Sequence, residues 1–224
     1  MGKELALALK ASVDRIVREE KEILILRELF SSPIGKLLVF RGGTALRLAY
    51  GSPRFSDDLD FSYAGSLKDA AFKGAIEALV AALPDARLSD FASKRFTHLA
   101  ELKFKEEWLR IGYSVKIEVS KRKTYAKGKG YELKLITSPV SNMQVLGNVV
   151  ALETILQEKI AALKDRREPR DLFDIWLICE RNKQRMPRLE IGIDPVVLKR
   201  TLRKYLPSDF WPVIPQLAEK TRRR

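Results

Sequence analysis

Apolar residues recur at every third or fourth position in two stretches of the N-terminal half, which is the spacing of one face of an α-helix. The first stretch covers residues 13–30 and ends before a proline-containing turn. The second follows Ser66 and Asp69, a pair with the spacing of a capping box, and ends at Pro84. The spacing therefore predicts two amphipathic helices in this half of the chain.

Short apolar or alternating runs elsewhere in the first 148 residues predict a β-sheet. The predicted strands lie at residues 36–40, 59–63, 97–105, 109–120 and 131–137. The first strand leads to a glycine pair, Gly42-Gly43, after which Thr44–Tyr50 is predicted to be a helix. In the second strand, Leu59, Phe61 and Tyr63 alternate with polar residues, the pattern of a half-buried strand.

The remainder of the 224-residue chain has helical spacing. Helices are predicted at about residues 152–167, 170–182 and 195–205, followed by a proline-punctuated tail. The length allows one sizeable core, or a core with a smaller helical partner. We therefore predict an α+β fold, with a mixed β-sheet flanked by helices over residues 1–148 and a helical region over residues 149–224.

The composition excludes several kinds of chemistry and location. Cys179 is the one cysteine and has no internal disulfide partner, and His98, the one histidine, cannot build a zinc site or a histidine-based triad. We expect His98 to be structural. No apolar run approaches the roughly 20 residues that span a bilayer, and Met1–Lys10 lacks the apolar centre of a signal peptide. The chain is therefore expected to be cytoplasmic, with no membrane partner.

The charge balance indicates a polyanionic partner. The formal net charge is +13, although such a charge can also serve solubility alone. Residues 121–134 hold six Lys or Arg residues against one Glu, with Tyr125 and Tyr131 among them, and the chain ends in Arg222-Arg223-Arg224. Within this segment, Lys127 to Gly130 has the composition of a hairpin tip. Such patches bind phosphate backbones without reading sequence, so RNA is the first candidate.

Two carboxylates one residue apart form a candidate metal site. Asp58 and Asp60 would project from one face of the predicted strand, and two anions that close repel unless a cation lies between them. Oxygen ligands suit Mg²⁺, with Mn²⁺ as the alternative ion. The competing interpretation is an acidic surface loop in which Arg54 pairs with the aspartates. The neighbouring Asp57 is expected to be a solvated side chain.

A third metal ligand is expected from a neighbouring strand. Val115, Ile117 and Val119 are predicted to face the core, which leaves Glu118 on the opposite face as the first candidate. Glu101 in the preceding strand is the weaker candidate. A cross-strand ion pair explains Glu118 equally well.

The glycine pair ahead of the aspartates suggests a phosphate site. Gly42 and Gly43 lie between a strand and a helix, where backbone N–H groups and the helix dipole favour a phosphate. Thr44 offers a hydroxyl to the phosphate, or caps the helix instead. A phosphate cradle beside a carboxylate-bound ion suits a nucleoside triphosphate and phosphoryl or nucleotidyl transfer.

Two motifs resemble a known protein family. Residues 42–62, GGTALRLAYGSPRFSDDLDFS, resemble the first motif of the AbiEii/AbiGii toxin family, which has a nucleotidyltransferase fold of the DNA polymerase β-like superfamily. Residues 158–176, EKIAALKDRREPRDLFDIW, resemble the Lys-containing helix of that family and its following Arg-Asp-x-x-Asp helix. Their order and separation fit a resemblance over most of the chain. It implies a nucleotidyltransferase-like sheet and a C-terminal helical region that contributes to the same active site.

The resemblance also implies roles for individual residues of the first motif. Gly43 and Thr44 would contact the triphosphate, and Asp58 and Asp60 would bind the metal. Glu118 is placed as a metal ligand by analogy with the superfamily and not by a motif.

In the second motif, the resemblance makes Lys159 a nucleotide contact and places an essential carboxylate at Asp171 or Asp174. Lys159 and Arg166 lie on one helical face, where a cationic stripe would neutralise triphosphate charge. The alternatives are a solvated basic face and, for Asp171, a favourable interaction with the helix dipole.

These features predict a Mg²⁺-dependent nucleotidyltransferase that moves a nucleoside monophosphate from an NTP to an acceptor hydroxyl. The resemblance implies the 3′ end of tRNA as acceptor and a cognate antitoxin as partner, in a type IV-like toxin–antitoxin or abortive infection system. One alternative is nucleotide transfer to Ser, Thr or Tyr of a protein. Another is a catalytically silent RNA-binding protein with the same fold.

Overall fold

The computed structural model describes residues 2–105, 112–126, 128–189 and 191–220. Its strands are β1 (Leu38–Arg41), β2 (Asp58–Ala64), β3 (Ala86–Ser93), β4 (Thr97–Phe104), β5 (Tyr113–Tyr125), β6 (Tyr131–Ser138) and β7 (Ser141–Val150). Its helices are α1 (Gly2–Ala8), α2 (Val13–Ser31), α3 (Gly42–Tyr50), α4 (Asp69–Ala82), α5 (Leu152–Arg166), α6 (Pro169–Arg181), α7 (Pro195–Tyr205) and α8 (Val213–Lys220). A 3₁₀ turn, Ser208–Phe210, lies between α7 and α8.

One mixed sheet forms the centre of the molecule, with the strand order β3-β4-β5-β2-β1-β7-β6. β2 lies between β1, to which it is antiparallel, and β5, to which it is parallel. β7 pairs in parallel with β1 and antiparallel with β6. The mixed sheet with flanking helices confirms the predicted α+β fold, and the strand that carries the two aspartates is in the middle of the sheet.

Apolar side chains cover both faces of this sheet. On one face, α2 and α4 pack against a core that includes Phe40, Phe61 and Ile117. On the other face, side chains of α5 to α8 pack with Val39 and Val150 of the strands. The C-terminal helices are therefore joined to the sheet by a shared core, and the division between residues 148 and 149 stays a prediction.

A sharp turn sets the positions of the first two C-terminal helices. Arg167 adopts a left-handed conformation with φ of 53° directly after α5. Pro169 then occupies the first position of α6, where its missing N–H has no helical partner to lose. This turn brings Lys159 of α5 next to Asp171 of α6.

Most predicted elements match the structure within a few residues. The elements that the sequence pattern did not predict are α1, β3, β7 and α8. Residues 109–111 of a predicted strand, Lys127 of the predicted hairpin tip and the terminal Arg222-Arg223-Arg224 lie outside the described residues.

Two further expectations concern His98 and the membrane. His98 is buried, and its ring packs against Phe72 with 4.9 Å between the ring centroids, as expected of a structural histidine. None of the described helices combines the length and the apolar content that a bilayer crossing needs.

Candidate active site

β2 carries Asp58 and Asp60 at the centre of the sheet, where both neighbouring strands contribute charged side chains. Asp60 is in register with Arg41 of β1 and with Glu118 of β5. Asp58 is in register with Lys116 of β5. Residues in register share a face of a sheet, so these carboxylates and cations lie side by side on one face.

Burial and mutual repulsion raise the pKa values of both aspartates. The pKa of Asp60 is raised to about 6, first by burial and then by the negative charges of Asp58 and Glu118. Burial also raises the pKa of Asp58, against the opposing effect of Lys116. A cation between these carboxylates would relieve the repulsion, so the donor set fits a hard divalent ion.

Glu118 lies beside this pair but contacts a different partner. As predicted, Val115, Ile117 and Val119 are buried and Glu118 faces the opposite side of β5. Its carboxylate pairs with Lys116 of the same strand. Within the described residues, no group of three or more metal-binding side chains converges on one point. The role of Glu118 as a third metal ligand therefore stays a prediction.

Gly42 allows the Asp60 carboxylate to lie directly against the turn between β1 and α3. Its φ is 79°, and a Cβ placed on it would lie 2.3 Å from Oδ2 of Asp60. A side chain is therefore excluded twice, by the backbone conformation and by the carboxylate. The turn and the aspartate form one surface of the site.

Gly43 and Thr44 are turned away from that surface. A Cβ on Gly43 would lie 2.4 Å from Nη2 of Arg54 and 2.7 Å from Oγ of Ser56. The buried Thr44 hydroxyl donates to the backbone carbonyl of Asp58 at 2.5 Å and so ties α3 to β2. Their predicted contacts with a triphosphate stay predictions.

Replacing Gly42 with alanine should destabilise the protein more than the same change at a glycine with similar backbone geometry. Gly128 has φ of 75°, close to the 79° of Gly42, but nothing lies within 4 Å of its missing Cβ. Gly128→Ala should therefore cost only the conformational term of about 1–2 kcal/mol. Gly42→Ala should cost about 1–3 kcal/mol more because Asp60 must move. Denaturant unfolding measures both, and equal losses would contradict the close contact.

A continuous chain of buried and half-buried ions connects three parts of the sequence. Arg54 donates from Nε and Nη2 to Asp174, at 2.7 and 2.8 Å. Lys159 Nζ lies 2.7 Å from Oδ2 of Asp174 and donates to Oδ1 of Asp171 at 2.9 Å. Arg166 closes the chain with two hydrogen bonds to Asp171, at 2.7 and 2.9 Å.

Asp171 and Asp174 are ionised, and each of them contacts Lys159. Burial alone would raise the pKa of Asp171, but the hydrogen bonds of Arg166 and the charge of Lys159 hold it below its usual value. At Asp174, burial is likewise outweighed by the charges of Arg54 and Lys159, and its pKa is lowered. Asp171 and Asp174 are fully buried, whereas Lys159 is 8% exposed and lines a cleft beside the sheet.

The alternative interpretation of Arg54 and the expectation for Asp57 were both wrong. Arg54 does not pair with the β2 aspartates at the surface, because it is 2% exposed and bound to Asp174. Asp57 is not a solvated side chain, because it forms ion pairs with Arg15 and Arg18 and accepts a hydrogen bond from Tyr205 at 2.9 Å. These partners lower the pKa of Asp57 although burial opposes them.

Asp60 and Lys159 line a common cleft of about 830 Å³. One wall is α5, the floor is the face of the sheet that carries Asp60 and Glu118, and the other wall is the turn between β3 and β4. Arg41, Arg122 and Arg166 also line the cleft. The cleft therefore has carboxylates on its floor and cations around them, which suits a polyanion bound through a metal ion.

The basic segment of residues 121–134 is only partly available to a nucleic acid. Lys121 pairs with Asp69, and the Tyr125 hydroxyl donates to Glu158 at 3.2 Å. The Tyr131 ring packs edge-on against Tyr125, with 6.0 Å between centroids. Among the described residues of this segment, Arg122 lines the cleft.

Comparisons with known proteins agree with this fold. The family model described as the AbiEii nucleotidyl transferase toxin of type IV toxin–antitoxin systems matches residues 24–222. No curated protein matches the sequence. The crystal structure of JHP933 from Helicobacter pylori has a similar fold, with 21% identity, a TM-score of 0.62 and coverage of 93% of this chain and 90% of that one. The nucleotidyltransferase toxin MenT4 from Mycobacterium tuberculosis has a similar fold, with 16% identity, a TM-score of 0.56 and coverage of 98% and 88%.

Proposed function

The chain belongs to the AbiEii family of nucleotidyl transferase toxins of type IV toxin–antitoxin systems, and on this premise we propose that it adds a nucleoside monophosphate to the 3′-terminal hydroxyl of an RNA. Membership in the family confirms the resemblance of the two motifs and makes the protein a nucleotidyltransferase. It also implies an NTP substrate and an antitoxin partner. The proposal adds the acceptor, with tRNA as the first candidate, the metal ion and the roles of the residues.

The observation that carries the proposal is that Asp60 and Lys159 line the same cleft. Asp60 lies against Gly42 on the floor, and burial, followed by the negative charges of Asp58 and Glu118, raises its pKa to about 6. Lys159 lies on the α5 wall with two carboxylates behind it. A triphosphate needs both kinds of contact, because its charge must be neutralised by a metal ion and by fixed cations.

Asp58 and Asp60 would hold the metal, with Mg²⁺ as the first candidate and Mn²⁺ as the alternative, and Glu118 is adjacent as a third carboxylate. When bound, the ion would polarise the α-phosphate and neutralise charge that develops during transfer. The like-charged carboxylates fit that ion, since burial and then their repulsion raise the pKa of Asp60.

Lys159 and Arg166 would bind the phosphate oxygens of the NTP from the α5 wall. The ion chain contains the three cations Arg54, Lys159 and Arg166 and the two carboxylates of Asp171 and Asp174, which gives one net positive charge. This surplus attracts a triphosphate while the buried partners hold Lys159 in place.

We therefore propose that Asp171 and Asp174 are both positioning residues, so that neither one alone is the essential carboxylate. Each is fully buried and each contacts Lys159. Asp171 also binds Arg166, and Asp174 binds Arg54. We assign neither of them a direct contact with the acceptor.

The transfer itself needs no covalent intermediate with the protein. The oxygen of the acceptor hydroxyl forms a bond to the α-phosphorus, the bond to the bridging oxygen of the β-phosphate breaks, and pyrophosphate leaves. The hydroxyl proton passes to solvent in the open cleft. The protein aligns the two substrates and holds the departing phosphates beside Lys159.

Incubation with each labelled NTP, total tRNA and Mg²⁺ tests the proposal against its alternatives. Label on RNA that depends on Mg²⁺ is the expected result. Label on protein would favour nucleotide transfer to a Ser, Thr or Tyr hydroxyl instead. Retention of RNA without any label would favour a silent RNA-binding protein.

The raised pKa of Asp60 predicts that metal affinity falls in mild acid. Asp60 has a pKa of about 6, so protons compete with the ion below that pH, whereas the carboxylate is ionised and free to bind above it. The apparent dissociation constant for Mg²⁺ should therefore rise about tenfold between pH 7.5 and pH 5. Calorimetric titration without NTP measures it, and an affinity that is constant over this range would contradict the prediction.

A further inference from the structure

Phe96 is an exposed aromatic side chain at the edge of the candidate active site. It lies in the turn between β3 and β4 and is 41% exposed. Several large hydrophobic side chains of the described residues are exposed. Among these, Phe96 alone is aromatic and Phe96 alone lines the cleft. Exposing a phenylalanine has a hydrophobic cost, and a cleft wall is where a ligand can remove that cost.

Two arginine side chains contact the Phe96 ring. The guanidinium carbon of Arg122 lies 4.0 Å from the ring centroid, and that of Arg95 lies 5.0 Å from it. Arg95, Phe96 and Arg122 all line the cleft. An exposed aromatic ring offers a stacking surface to a planar base, and guanidinium groups close to it offer a further planar surface and positive charge to the attached phosphates.

Backbone hydrogen bonds fix the turn that carries Phe96. The Phe96 carbonyl accepts a hydrogen bond from the Lys121 N–H at 2.8 Å, and the Lys94 N–H donates to the Thr97 carbonyl at 2.8 Å. Arg122 is four residues after Glu118, so the extended chain between them reaches at most about 14 Å. The ring is therefore placed within reach of a nucleotide bound over the carboxylates.

We propose that Phe96, together with Arg95 and Arg122, forms a nucleobase-stacking site on the wall of the cleft opposite α5. We call these three residues the Phe96 platform. The base comes either from the NTP or from the unpaired 3′ end of the RNA acceptor, and both present the same π face. The inference rests on the proposed function only for the choice of nucleotide ligands, because the geometry of the Phe96 platform is independent of the transfer reaction.

Equilibrium binding of two probes to the full chain tests the Phe96 platform without turnover. One probe is ATP with Mg²⁺, and the other is a fluorescein-labelled single-stranded oligoadenylate, measured by anisotropy. Phe96→Leu should weaken one or both about 5- to 150-fold, because an aliphatic side chain does not stack on a base. Phe96→Trp should retain affinity. Leu88→Ala is the matched control, since Leu88 is also 41% exposed, lies on β3 and is outside the cleft.

The outcomes separate the source of the base and separate this inference from the proposed function. A loss confined to oligoadenylate assigns the Phe96 platform to the acceptor, a loss confined to ATP assigns it to the NTP, and a loss of both assigns it to both. Unchanged binding of both probes by Phe96→Leu, or an equal loss in Leu88→Ala, overturns the inference. Binding that depends on Phe96 in a protein that transfers no nucleotide would contradict only the proposed function.

Discussion

Replacing Asp60 with asparagine is expected to lower kcat about 10³-fold or more while leaving the melting temperature unchanged or higher. Asparagine has nearly the same shape, so it fits against Gly42, but it lacks the negative charge that would hold the metal. The stability should not fall, because Asp60 is repelled by Asp58 and Glu118. Nucleotide transfer under saturating substrate and a thermal unfolding curve measure the two effects.

An exposed carboxylate provides the control for this variant. Asp90 lies on β3, is exposed and does not line the cleft. Asp90→Asn should therefore leave both kcat and the melting temperature as they are in the wild-type protein. A fully active Asp60→Asn protein would refute the assignment of the metal site, and a large loss of stability would show that the carboxylate serves the fold instead.

Replacing Arg54 with methionine should have the largest effect on stability. Arg54 is 2% exposed, and besides its two bonds to Asp174 it donates to the Phe55 carbonyl at 2.8 Å. Methionine would leave a buried carboxylate with Lys159 as its remaining cation, which costs about 3–5 kcal/mol. In a chain of this size the melting temperature should fall by roughly 6–20 °C.

Two variants control for a general effect of losing an ion pair. Lys73 and Glu77 form an exposed pair on α4, at 63% and 62% exposure, so Lys73→Met should change the stability by less than about 0.5 kcal/mol. In the double variant Arg54→Met with Asp174→Leu, both buried charges are removed and part of the stability should return. Its activity should stay low, because Lys159 has lost one of its two anchors. A single Arg54→Met variant as stable as Lys73→Met would contradict the buried chain.

Apolar periodicity is clear in the sequence of some elements and weak in that of others. α2 and α4 have apolar residues at helical spacing, and both were predicted. β3 is an edge strand with most of its side chains exposed, so it has no alternation to detect. β7 contains Gly147, whose missing Cβ would lie 2.6 Å from the Phe30 ring, and this packing interrupts the apolar pattern.

The candidate site could be predicted where its residues stand in a recognisable motif, but the contacts between distant residues could not. Gly42 and Asp60 stand in one motif, and the structure places them in contact. Arg54 stands in the same motif, but its partner is 120 residues away and cannot be identified from local spacing. Phe96 follows a lysine and an arginine in a turn and belongs to no motif, so the pattern gave no reason to select it.

The length of chain between Arg54 and Asp174 also affects when the protein can act during its own synthesis. A ribosome makes the strand with the two aspartates long before it makes the helices with Lys159 and Asp174, and these ions meet only after both have emerged. Until then a nascent chain has the acidic floor of the cleft without its cationic wall. Translation order therefore delays assembly of the complete cleft until α6 has been made and has folded onto the sheet.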